Sequence, residues 1–379
     1  MKPEPLRIFW FTEGRLNHAP TRHRALIYES SLVTLLGDRI HLHRPYEYGK
    51  IRADCREVVI SLTHSPIVAR IVSSLYAEVG RIRFILKYFL SMIHLAASFT
   101  HVIYLRCFPS LFQRFMFTLT RKKIYFDFDD PLYLKRPARE QGSCEPEGVE
   151  EPVMARKMAA FLKRCTAAIV SNDYLAAWAR QYARTVHIIP TSVEIPERLL
   201  CSYAITTTFI IGWIGAPENQ KYLMTIFPGI RRILDEFPAC RLHIITSTPW
   251  DFGHPAVVFI PWHIDTWQRE VQRFSVGLAP LDDSPWTRGK MQFKAVQCAA
   301  QGVPVVGSTV GFDLERWKHD KNILFAHTPD EYYSCLKTLI TNQSTREAIG
   351  KNGLALVREH YAAEVNARRI ADILSGSTA

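Results

Sequence analysis

Short, uninterrupted apolar segments recur along the chain, each separated from the next by a stretch of helical periodicity, and this alternation restricts the fold more than any other feature. In the first half the segments are 8–11, 58–62, 102–105, 123–126, 168–170 and 186–189. A second series follows Pro190, at 209–214, 242–245, 257–260, 276–279, 304–306 and 323–325. Between them, 154–164, 220–236, 265–274, 290–301 and 330–341 carry the apolar spacing of helices. Strands that are apolar on both faces belong to parallel sheets covered by helices. Two such series in 379 residues exceed what one core serves. They predict an α/β protein of two doubly wound, Rossmann-like domains, 1–192 and 193–358, with a terminal piece, 359–379, whose helix packs back on the N-terminal domain. The boundary lies at 190–208, where Pro, Ser and a Thr run break the pattern, and the Glu-rich 139–152 reads as a surface loop.

The formal charge is +11, which favours an anionic partner: nucleic acid, an acidic membrane or a phosphorylated small molecule. The basic residues are scattered and carry no zinc-finger or RNA-binding signature, so phosphates or anionic lipid are expected and nucleic acid is not. Eight cysteines without CxxC or His–Cys ligand spacing predict free thiols in a cytoplasmic protein and no resident metal. The first residues, Met-Lys-Pro-Glu-Pro-Leu-Arg, lack the apolar region of a secretory signal. Residues 84–105 are largely apolar, but Lys87, His94 and His101 interrupt them, giving a helix, a turn and a strand rather than a membrane span. That helix is either a buried crossover or a surface that lies on the inner face of a membrane.

The stretch 279–308 holds most of the chemistry. A strand ends at Pro280, a loop with Gly289 follows, and a helix is expected from about Lys290. A helix N-terminus with Arg288 and Lys290 beside it suits a diphosphate, with Lys294 one turn on and Gln297 another. The loop belongs at the carboxyl end of a strand, where open α/β sheets bind ligands. Lys290 and Lys294 otherwise read as solvated helix lysines.

The run Pro285-Trp-Thr-Arg-Gly-Lys290, followed by Lys294, Gln297 and Gly302-Val-Pro-Val-Val306, resembles the donor-binding region of retaining glycosyltransferases of family 4. The resemblance extends over most of the chain. Gly212-Trp-Ile-Gly-Ala-Pro-Glu-Asn-Gln-Lys-Tyr-Leu223 is similar to the glycine loop of that family's second domain, with its Gly-Arg…Lys on Gly215, Ala216 and Lys221. Pro20-Thr-Arg-His-Arg24, Ile124-Tyr-Phe-Asp-Phe-Asp-Asp130, Ser171-Asn-Asp-Tyr-Leu175 and Ile188-Ile-Pro-Thr191 match further motifs in the family's order. The resemblance implies the GT-B fold, its two domains facing each other across a cleft. It also implies transfer of a sugar from a nucleoside-diphosphate sugar to a glycan or lipid-linked acceptor, as in polysaccharide biosynthesis, with retention and no metal cofactor. Lys290, Lys294, Asp129 and Asp130 would be catalytic, and Gly215, Lys221, Arg288, Gly289 and Gln297 would bind the donor.

One departure bears on the donor sugar. Two glutamates of the wider family, separated by seven residues, fall on Gly289 and Gln297, so a carboxylate facing the sugar is absent while the amide still suits a ribose hydroxyl. Three readings of Asp127, Asp129 and Asp130 stay open: a metal-binding Asp-x-Asp, turn chemistry before Pro131, or carboxylates facing the cleft. Arg22, Arg24 and Arg106 either bind the acceptor or pair with acidic neighbours. A homologue that binds nucleotide-sugar without turnover, and a metal-dependent transferase using Asp127 and Asp129, are the competing functions.

Overall fold

The computed structural model describes residues 7–12, 19–36, 40–42, 99–135, 150–199, 202–204 and 207–376. The expected strand at 58–62 and helix after residue 84 lie outside them. Among the described residues, twelve strands form two parallel sheets: β1 (Ile8–Thr12), β2 (Ile40–Leu42), β3 (His101–Leu105), β4 (Lys123–Phe128), β5 (Ala167–Val170) and β6 (Val186–Ile188) in one, β7 (Phe209–Ile214), β8 (Cys240–Thr246), β9 (Val257–Pro261), β10 (Val276–Ala279), β11 (Val305–Gly307) and β12 (Leu324–Phe325) in the other. Their orders are β2-β1-β3-β4-β5-β6 and β12-β11-β10-β7-β8-β9. The chain is thus an α/β protein of two doubly wound domains.

In the second sheet the chain runs β7, β8, β9 in one direction and then returns to lay β10 on the free side of β7. The reversal opens a crevice outside the carboxyl ends of β7 and β10, the position at which such sheets take ligands. Buried Trp213 and Ile211 on β7 and Val276 and Leu278 on β10 fix these strands in the core. Burying one such side chain contributes about 1.5–3 kcal/mol, so the crevice has a rigid floor.

Helices Gln220–Glu236 and Pro329–Thr341 cover one face, packed on the core around Leu223, Ile230 and Tyr332. The long helix Gln343–His360 ends at Tyr361, and a new helix, Ala363–Ser375, leaves in another direction. Val193 bridges this break, donating from N to Tyr361 O at 3.0 Å and accepting from Ala363 N at 3.2 Å. Ile370, Ile373 and Leu374 of the final helix share one core with Ile8, Trp10, Tyr28 and Ile103 of the N-terminal sheet. No helix among the described residues is long and apolar enough to cross a membrane.

Candidate functional site

Lysines from three segments meet at the crevice. Lys221 is the second residue of the helix Gln220–Glu236, Lys290 stands in the turn between the short helix Pro285–Arg288 and the helix Phe293–Ala300, and Lys294 belongs to the latter. Lys290 donates from Nζ to Asn219 Oδ1 at 3.2 Å, and the Lys294 Nζ lies 5.6 Å from the centre of the Trp213 ring. Partial burial and the charge of Lys290 lower the Lys294 ammonium to about 7, and burial lowers Lys221 as well. Neither Lys290 nor Lys294 has an ion pair among the described residues. Ammonium groups that raise each other's energy in a partly dry crevice gain most from a bound polyanion.

Gly215 is required by the same packing. A Cβ there would stand 2.7 Å from Lys294 Cε and 2.8 Å from Trp213 Cη2, so only glycine lets the lysine lie across the end of β7. Gln220, buried behind it, bonds the carbonyls of Pro217 and Thr248 and accepts from Trp250 N, which orders the loops after β7 and β8 together. Asn219 and Gln220 were not singled out from the sequence; an amide in a short loop gives no spacing signal.

Two expectations about 288–294 are corrected. The helix does not start near Lys290: it begins at Phe293, and 289–292 form a turn. Gln292 holds that turn, donating from Nε2 to Val310 O at 2.8 Å and from its backbone N to Gly311 O at 3.3 Å. Lys290 therefore reaches the crevice from a turn, and its ammonium lies beside the N-terminus of a different helix, bonded to Asn219 at the N-cap of Gln220–Glu236. Arg288 stands apart from the three lysines in this structure, its exposed guanidinium paired with Asp283 through Nε at 2.5 Å and Nη2 at 2.9 Å. Gln297, 9% exposed on the same helix as Lys294, has no hydrogen-bond partner for its amide among the described residues.

The N-terminal domain presents the other wall. Arg106 follows β3 with a left-handed backbone, φ 58°, a conformation that costs a residue with a Cβ roughly 1–2 kcal/mol. It aims Nη1 at Asp129 Oδ1, 3.2 Å, and Asp130 Oδ2, 3.0 Å. Asp130 in turn acts on Lys294 across the crevice, opposing the loss of its proton. The domains touch closely here: a Cβ on Gly289 would fall 2.7 Å from Pro131 Cγ. Glutamate at 289 has no room while this contact stands, which gives the departure from the family pattern a steric basis.

Arg24 and Asp127 are a separate matter. Both are 1% exposed, and Arg24 reaches Asp127 Oδ1 from Nε at 2.8 Å and from Nη2 at 2.6 Å, with Nη1 on Ile189 O and Thr191. Burial pushes the Asp127 carboxyl up to about 6 against the opposing pull of Arg24, leaving the pair ionised at neutral pH. Arg24 is therefore a buried strut beneath the domain junction rather than a surface for an acceptor, and Asp127 is committed to it. Arg22 lies over the Trp262 ring, 5.1 Å from its centre, joining the two domains, while its Nε is buried without a hydrogen-bond partner among the described residues. Of the three arginines expected at the acceptor, Arg106 is the one paired with Asp129 and Asp130.

A cavity of about 890 Å³ opens between the domains nearer the junction. Arg288, Met291 and Gln292 line it but Lys290 and Lys294 do not, so the turn separates it from the lysine cluster.

No protein-family model matches the chain, and no curated protein matches it either. Solved structures do. Anabaena HepE in complex with UDP is 13% identical, with a TM-score of 0.62 over 98% of this chain and 100% of that one. Its complex with UDP-glucose gives 0.61 at 13% identity over 97% and 99%. Sucrose-phosphate synthase from Thermosynechococcus elongatus gives 0.62 at 11% identity over 98% and 99%. At such identities the likeness is one of fold, and the fold is GT-B.

Proposed function

We propose that this chain is a glycosyltransferase that moves a sugar from a nucleoside-diphosphate sugar to a glycan or lipid-linked acceptor, without a metal ion and with retention. The convergence of Lys221, Lys290 and Lys294 on the crevice between β7 and β10 carries this reading. Cleavage of the bond from the anomeric carbon to the diphosphate oxygen leaves negative charge on phosphate and oxocarbenium character on the sugar. The three ammonium groups stabilise the departing diphosphate, and Gln297 is within the same helix to meet a ribose hydroxyl. Asp129 and Asp130, steadied by Arg106, face the sugar from the opposite wall. The engagement of Asp127 by Arg24 favours the metal-free route over an Asp127/Asp129 metal site, since one carboxylate of that motif is already paired. Retention rests on the resemblance of the 285–306 motifs.

Glycine at 289 favours a second reading, in which the chain holds the donor but does not turn it over. One assay separates the readings. A panel of nucleoside-diphosphate sugars is screened by thermal shift, and the binders are followed for sugar transfer and nucleoside-diphosphate release with and without chelator. Transfer that survives excess chelator is expected. Activity lost on chelation and restored by manganese or magnesium refutes the metal-free route; binding without release supports the second reading; binding by no donor refutes both.

A further inference from the structure

The cavity of about 890 Å³ near the domain junction is walled by three separate parts of the chain. The first domain supplies Asn172 and Tyr174, the second supplies the loop 311–317 after β11, and the helix Ala363–Ser375 supplies Arg369. Its size lies within the range of about 300–1,000 Å³ usual for small-molecule sites. One wall is apolar and held in place. The Phe312 ring packs 5.1 Å from Trp317 and 5.4 Å from Phe325, centre to centre, and Trp317 donates from Nε1 to Tyr361 Oη at 2.9 Å. Leu314 extends this wall at 49% exposure. A wall fixed before a ligand arrives loses little freedom on binding.

The charges around this wall identify what fits. Arg288 and Arg316 line the cavity but are each paired, the first with Asp283 and the second with Asp313. Arg369 has no ion pair among the described residues. Its Nη1 donates to Asn366 Oδ1 at 2.9 Å and to His360 O at 3.3 Å, which leaves Nε and Nη2 without an acceptor among those residues. Burial, and then Arg316 beside it, pull this guanidinium below the usual arginine range, so a counter-charge would be taken up favourably. His360 adds no charge, because burial, helped by both arginines against the pull of Glu359, keeps it below the usual imidazole value. Two exposed carboxylates, Asp173 and Glu315, line the same space without an ion pair among the described residues. They would repel a polyanion such as a diphosphate, whereas hydroxyl groups donate to them readily. One anionic group, several hydroxyls and an apolar ring face together describe an acidic sugar.

We infer that this cavity is a binding site for a saccharide bearing a single carboxylate, the carboxylate on Arg369 and a ring face on Phe312 and Leu314. A planar carboxylate takes two parallel hydrogen bonds from Nε and Nη2 of one guanidinium, which are the atoms Arg369 has to offer. The site is separate from the lysine crevice, since Lys221, Lys290 and Lys294 do not line it. It therefore rests on neither donor binding nor turnover.

The test is isothermal titration of the full chain at neutral pH with an aldobiouronate, one glucuronate joined to one neutral sugar. The comparison ligands are the neutral disaccharide of the same linkage, a hexose 6-phosphate and acetate. The aldobiouronate should bind once per chain and more tightly than all three. Arg369→Gln should weaken it by about 10- to 100-fold, the loss expected for hydrogen bonds to a charged group. Arg316→Gln should weaken it as well, because Asp313, freed of its partner, then repels the carboxylate. Lys290→Ala should bind the aldobiouronate like the parent. Circular dichroism melting checks that each variant is folded, and the exposed Arg316 gives the deciding variant if Arg369→Gln does not fold. The inference is overturned if the aldobiouronate does not bind, or if the neutral or phosphorylated sugar or acetate binds as tightly. It is also overturned if the folded arginine variants keep the parent's affinity. Loss of binding in Lys290→Ala overturns it too, by moving the carboxylate to the lysine crevice.

Discussion

If a nucleoside diphosphate occupies the crevice, Lys294 makes its binding depend on pH with a sign that follows from burial. Its ammonium falls to about 7 because it is partly buried and stands beside Lys290. A bound diphosphate would supply the missing counter-charge and return the group toward its ordinary value near 10.4. Between those limits the free protein holds Lys294 mostly neutral while the complex holds it charged, so binding takes up a proton. The sign follows: affinity is flat below about pH 7 and falls roughly tenfold for each unit above it, until the lysine in the complex also titrates. Isothermal titration with a nucleoside-diphosphate sugar, whose diester phosphates do not titrate in this window, measures this directly. Repeating it near pH 8 in buffers of different ionisation enthalpy should count about one proton taken up per site. Lys294→Arg, charged throughout, should flatten the profile. A wild-type affinity that does not change between about pH 6 and pH 9, with no proton uptake, would refute the placement of the anion at Lys294.

Lys290→Ala should fold normally yet lose on the order of 100- to 1000-fold in turnover, with a smaller loss of affinity, because its charge meets the departing phosphate. Lys351, exposed and paired only with Glu347, is the control whose alanine variant keeps normal kinetics. Arg24→Ala should cost about 3–5 kcal/mol in denaturant unfolding by stranding Asp127 in the core; a stable variant with a raised acceptor KM would instead restore Arg24 as a binding residue. Gly289→Glu, although it writes in the family's residue, should lower turnover because the new side chain drives Pro131 away; higher turnover would show that the contact yields readily.

The parallel sheets were legible because their strands are continuous apolar runs, a pattern that survives without knowledge of partners. The strand Ile40–Leu42 was missed, being too short to show any period. The helix Gln343–His360 was missed for another reason: Gly350 and Gly353 interrupt it in propensity, yet Gly350 lies against Gly302 O, where a Cβ would come within 2.5 Å. At the candidate site, Gly215, Lys221, Lys290 and Lys294 were named through the order of their motifs, and the fold brings them to one crevice. What could not be read was how cations divide between ligand and protein. Arg24 and Asp127 lie 103 residues apart, and nothing in either segment announces that they pair. Arg288 was assigned by adjacency to Lys290, and its two-pronged contact with Asp283, five residues earlier, had no signal in the sequence.

The helix Ala363–Ser375 completes the core of the first sheet from the far end of the chain. During synthesis, then, Ile8, Trp10 and Ile103 leave the ribosome long before Ile370 and Leu374 exist to cover them. The C-terminal domain, whose strands and helices all lie within 209–360, can close its core first, although it is made second. Folding in the cell would run against the order of translation, with the N-terminal sheet waiting, incompletely covered, until the last helix is released. A fragment ending at 192 should for that reason aggregate, and supplying 363–375 as a separate peptide should rescue it.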